Sequence, residues 1–122
     1  MGMDNVFARV KRSNRINFNN HDVIDVYFFD DKELENLIDF RNAYDLDEII
    51  TDIVKNNMGD YVVLDKEDIN IIIQVLQDRF YKNDIYNNEF NQWLKYDHII
   101  ETLELINKLF DYDRYYLLYI FY

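Results

Sequence analysis

Asp31, Glu35 and Asp39 fall at intervals of four residues, and Asp45, Glu48 and Asp52 at intervals of three and four. On an α-helix such intervals bring side chains onto one face, spaced roughly 5–6 Å along the axis. Each row points away from the apolar positions of its own segment: Leu34, Leu37 and Ile38 for the first, Leu46, Ile49, Ile50, Ile53 and Val54 for the second. One DNA strand carries a phosphate charge about every 3.4 Å of axis. An ordered carboxylate row can therefore occupy a groove built for a phosphate backbone. A rigid row also loses less entropy on docking than a floppy acidic tail does. The same spacing equally describes a solvated helix face that keeps a protein soluble.

A second group is aromatic. Tyr81, Tyr86, Phe90, Trp93 and Tyr96 cluster in and beside the Asn-rich connection NDIYNNEFNQWLKYD, within a chain of eleven Tyr, nine Phe and one Trp. Tyr and Trp anchor protein interfaces because they bury much area with few rotors and keep a polar handle. Tyr86, Phe90, Trp93 and Tyr96 are thus a candidate contact patch, set against simple packing of that connection.

Metal and nucleophile chemistry finds little support. The histidines, His21 and His98, are far apart; His98 and Glu101 have the i, i+3 spacing of carboxylate-bridged metal sites, but no second pair matches it. Asp45-x-Asp47 and Asp111-x-Asp113 read as helix caps or turns. Ser13 is the only serine and there is no cysteine, so nucleophile options are nearly exhausted. No glycine-rich phosphate loop, Gly-x-Ser-x-Gly elbow or calcium loop is present. The sequence predicts no enzyme, no cofactor and no metal.

Charge limits the partners. The net charge is −11, yet Arg9, Lys11, Arg12 and Arg15 crowd the first fifteen positions, and Asp22 to Asp52 holds eleven carboxylates against Lys32 and Arg41. Such a field repels nucleic acid and anionic membrane and attracts basic protein surfaces. The early basic cluster reads either as protection of a sheet edge or as a counterpart to the acidic body, within the chain or in a homodimer.

The elements that would position these groups form one domain. Apolar residues make up 49% of the 122, with two Gly and no Pro, which suits a real core and continuous helices. The absence of cysteine, of an apolar signal core and of an apolar run of about 20 residues predicts a cytoplasmic location. Residues 1–29 read as a three-stranded antiparallel meander: Val6–Arg12, a Ser13-Asn14 turn, Arg15–Phe18, then Val23–Phe29. Residues 30–122 read as mainly helical. Helices are predicted from Asp30 or Asp31 to Asn42 and from an Asp45 cap to a stop near Gly59. The next runs from Asp65 to Tyr81, central and contacted on two sides; shorter ones span Glu89 to Tyr96 and His98 to Phe110. Tyr61–Leu64 suits an added strand, and periodicity leaves the aromatic DYDRYYLLYIFY open between helix and strand.

The expected fold is therefore α+β, a meander followed by four to five helices in one small domain. The expected function is a non-catalytic inhibitor or interaction protein that occupies a basic, nucleic-acid-binding surface on a nuclease or similar partner. Size, residue usage and acidity suit an accessory protein of a phage or mobile element, such as a DNA mimic acting against restriction or CRISPR nucleases; this is compositional analogy. The alternatives are an immunity protein or antitoxin that covers a basic toxin, and a structural assembly component.

Overall fold

The structure is a computed structural model that describes residues 3–55, 59–82 and 90–122, with side chains described outside 81–93. Five strands form one antiparallel sheet, and the described residues hold three α-helices. In chain order these are β1 (Asp4–Lys11), β2 (Val23–Ile24), β3 (Leu34–Arg41), α1 (Tyr44–Val54), β4 (Tyr61–Leu64), α2 (Lys66–Gln77), α3 (Phe90–Leu109) and β5 (Tyr115–Phe121). The chain divides into two compact units: residues up to Asp65 together with Asp111–Tyr122, and Lys66–Phe110.

The first unit holds the sheet and α1. Its strand order is β2-β4-β5-β1-β3, which puts β5 and β1 in the interior and leaves β2 and β3 as edges. Register assigns the two faces. Ala8, Val10, Tyr116, Leu118 and Val63 share one face, where Ile16, Ile24 and Phe29 pack on them. Phe7, Tyr119 and Phe40 share the other, Phe7 lying 5.1 Å from Tyr119 and 6.3 Å from Phe40 between ring centroids. With both faces covered, β5 has no reason to alternate, and six of its seven residues are buried. Continuous burial plus aromatic and β-branched residues settles the C-terminal segment as a strand.

The second unit is a helical hairpin. α2 and α3 run antiparallel, with Asn70 opposite Asn107 (2.7 Å), Gln77 opposite Glu104 (3.1 Å) and Phe80 stacked on Tyr96 at 4.2 Å. Ile69, Ile72, Ile73, Leu76 and Phe80 are buried as the apolar stripe requires, and α2 passes into a π-helical turn at Asp78–Lys82. Of the second apolar face expected on α2, Ile71 is exposed and Val75 half-buried.

The meander followed by four to five helices is thus incorrect; the chain is a mixed α+β protein, with five strands and three α-helices among the described residues. Ile16–Phe18 forms no strand, because Ile16 and Phe18 serve as a plug over the sheet rather than as a pleat. Phe18 meets Phe28, Phe29 and Tyr116 at 5.3–6.0 Å, and its N–H donates to the Tyr116 hydroxyl (2.8 Å). The third meander strand shrinks to β2, and it pairs with β4.

The segment expected as the first helix is β3. Its pairing with β1 slips at Leu37, which has no partner: Ile38 faces Phe7 while Asn36 faces Ala8. A β-bulge of this kind shifts the alternation by one residue. It leaves Leu34 on one face and Ile38 and Phe40 on the other, and with Leu37 it reproduces the i, i+3, i+4 spacing of a helix.

Two helix boundaries also differ. The expected helices on either side of Asp97 are one helix, because nothing in Phe90–Leu109 is Gly or Pro and an interior Asp is tolerated. α1 stops at Lys55, which is left-handed (φ 56°) and donates its N–H to the Thr51 carbonyl, well before Gly59.

Candidate functional site

α1 is the element that keeps an acidic row. At 3.6 residues per turn Asp45, Glu48 and Asp52 fall within an arc of about 60°. The buried residues Leu46, Ile49 and Ile50 lie to one side of that arc; Glu48 and Asp52 are exposed, and Asp45, nearest the buried side, is half-buried. The helix start is built without a side-chain cap of its own. Its N-cap is Ala43, so Asp45 is the second helical residue and not the cap that the sequence suggested.

The missing cap comes from another strand. Asn5 on β1, fully buried, accepts the Ala43 N–H on Oδ1 (3.0 Å) and donates Nδ2 to the Ala43 carbonyl (2.9 Å) and the Tyr119 hydroxyl (3.0 Å). Tyr119 in turn donates to Asp47 (2.8 Å). One buried amide thereby fixes the N-terminus of α1 against β1 and β5, and with it the direction of the carboxylate row. No local signal marks Asn5: its partners lie 38 and 114 residues away.

Burial pushes the Asp47 carboxyl above the usual aspartate range, opposed in part by the Tyr119 hydrogen bond. A folded-state pKa above the unfolded value means that the folded protein holds the proton more tightly. Ionisation of Asp47 therefore costs stability at neutral pH, and that cost fades as pH falls through the raised value and is gone below the ordinary aspartate value. Asp47→Asn, which can still accept from Tyr119, is expected to melt higher than the parent at neutral pH. The advantage should shrink steadily in melts taken toward acid; a gap that stays constant with pH would show that Asp47 is not desolvated.

The first acidic row does not exist as a row. Asp31 lies in the turn before β3, whereas Glu35 and Asp39 are on β3 either side of the bulge. Glu35 is opposite Arg9 and Asp39 opposite Val6, residues of opposite parity on β1, so the two carboxylates leave the sheet on opposite faces. Glu35 is also engaged: Arg9 sits 2.7 Å from it and stacks 4.3 Å over Tyr115. The Glu35 hydrogen bond raises the Arg9 pKa further, keeping the guanidinium charged.

Edge protection is likewise overturned as the role of the basic cluster, since β1 is an interior strand. Its arginines contact acidic and aromatic side chains within the chain. Arg15 pairs with Glu33 and holds that carboxyl below the usual range, and Arg12 lies 3.9 Å over Tyr116.

Of the aromatic patch, the side chains of Tyr86, Phe90 and Trp93 lie outside the described residues. Tyr96 is 2% exposed and belongs to the hairpin core, which removes it from a contact surface. Asp111 accepts the N–H groups of Asp113 and Arg114 (3.1 and 3.2 Å), the turn that its motif suggested. Among the described residues no three His, Asp or Glu side chains gather where a metal ion could be held, and no helix is long and apolar enough to cross a membrane. Compared with protein-family models, curated proteins and solved structures, the chain matches none.

Proposed function

We propose that the chain is a non-catalytic interaction protein that presents the Asp45–Glu48–Asp52 face of α1 to a basic, nucleic-acid-binding surface of a partner protein. The observation that carries this reading is the α1 row on a chain of net charge −11. Along a helix axis the three carboxylates rise by about 4.5 and 6 Å, intervals that basic side chains arranged for phosphates can meet. The Asn5 and Tyr119 contacts hold the helix start in place, so little ordering entropy remains to be lost on docking. Asp31, Glu35 and Asp39 take no part as a row.

The test compares wild-type chain with Glu48→Gln/Asp52→Asn as bait in nuclease-treated host-cell lysate, with captured proteins identified by mass spectrometry. The wild type should retain a basic nucleic-acid-binding protein, displaced by added duplex DNA and by raised salt, because exposed charge pairs are screened. The double variant should retain about tenfold less, corresponding to about 1.4 kcal/mol. Equal capture by both baits, or capture indifferent to DNA, would overturn the proposal.

A further inference from the structure

Among the described residues of this acidic chain is a cationic cavity. Where β1 ends, the turn through Ser13 and Arg15 and the turn before β3 enclose an open space of about 450 Å³. Lys11, Arg12, Arg15 and Lys32 line it against a single carboxylate, Glu33, and the buried side chains of Val10 and Ile16 contribute apolar lining. Three of the cations come from the five positions 11–15, at the end of β1 and in the turn after it; Lys32 arrives from the other turn, so only the fold assembles the set.

Its members differ in what holds them. Arg15 is engaged by Glu33. Arg12 is fixed by its stacking over Tyr116 and by donation from Nε to the Tyr112 carbonyl (3.1 Å). That leaves its two terminal nitrogens without a partner among the described residues. Lys11 and Lys32 have no side-chain hydrogen bond or ion pair among the described residues. Gathering four cations around one carboxylate is unfavourable by itself, and an anion relieves the repulsion.

We infer that this cavity binds a small phosphorylated anion. Two lysine ammoniums and a pre-positioned guanidinium suit the several oxygens of a phosphoryl group, Arg offering a planar pair of donors and Lys a point charge. The volume falls in the range of about 300–1,000 Å³ typical of small-molecule sites. A long polyanion is disfavoured, because Asp22, Asp25, Asp30 and Asp31 lie on the segment between the two turns and repel its flanks. The site is separate from α1, so it stands or falls independently of the protein–protein role.

Isothermal titration of the full chain with inorganic pyrophosphate tests the assignment. Saturable one-to-one binding is expected at about 0.1 M salt, weakened about tenfold or more in Lys11→Gln/Lys32→Gln. Thermal melting of the double variant should not fall below the wild type, since neither lysine side chain has a folded-state partner to lose. Absence of saturable binding at millimolar pyrophosphate, or equal binding by the variant, would overturn the inference. So would tighter, equally lysine-dependent binding of a short single-stranded oligonucleotide, which would assign the cavity to nucleic acid.

Discussion

Phe7→Ala is expected to lower the unfolding free energy by about 4 kcal/mol, the middle of the range for deleting a buried Phe side chain. Phe7 has no exposed surface and sits on an interior strand between Phe40 and Tyr119. Neither neighbour can follow the lost ring, because Phe40 and Tyr119 are on strands held in register with β1. The space therefore persists as a cavity, and the cost includes both the lost transfer energy and the lost contacts. Urea unfolding followed by far-UV circular dichroism measures it. A loss under about 1 kcal/mol would mean that this face of the sheet is loosely packed, against the ordinary behaviour of buried aromatics.

The second large effect is expected from Asn5→Leu, which keeps the approximate volume and removes every polar contact. Ala43 would lose both a donor and an acceptor, and the Tyr119 hydroxyl would lose a donor. A buried polar group left without a partner costs about 1–3 kcal/mol, so a combined loss of about 3 kcal/mol is expected after partial relaxation. The damage should be local. Hydrogen exchange of the first-turn amides of α1 should accelerate far more than that of β5, whose ladder bonds to β1 are untouched. Uniform acceleration across both elements would show that Asn5 is part of the general core and not a remote cap. It would also weaken the view that the α1 carboxylates are held in a fixed direction.

Legibility in the sequence followed the reach of the interactions involved. β1, α1, β4 and α2 were readable because their patterns are set by one face meeting one environment. β3 reads as a helix because a single residue without a register partner, Leu37, converts a period of two into an imitation of a helical stripe. The same shift separated Glu35 from Asp39, so the more regular of the two acidic rows dissolved with the helix that was to carry it. The segment from Ile16 to Phe29 looked like strands because its apolar residues alternate in part, yet their role is to plug a face. At the site, Asp45, Glu48 and Asp52 were visible in the helical spacing. Asn5 and the cationic cavity were not, since each depends on residues brought together from distant positions by the sheet.

The position of β5 also bears on how the protein is made. It lies between β4 and β1, yet it is the last of the five strands to be synthesised, following the whole Lys66–Phe110 hairpin. Asn5 and Tyr119, which meet in the finished sheet, are 114 residues apart in the chain. While the ribosome is still translating the hairpin, β1 can pair with β3 but leaves its other edge open, and β4 has no interior neighbour. Closing such distant pairings late is intrinsically slow and keeps strand edges exposed in the meantime. A high negative charge repels other nascent or partly folded copies during that interval. The acidity then serves the chain before any partner is met, guarding an incomplete sheet until its central strand arrives.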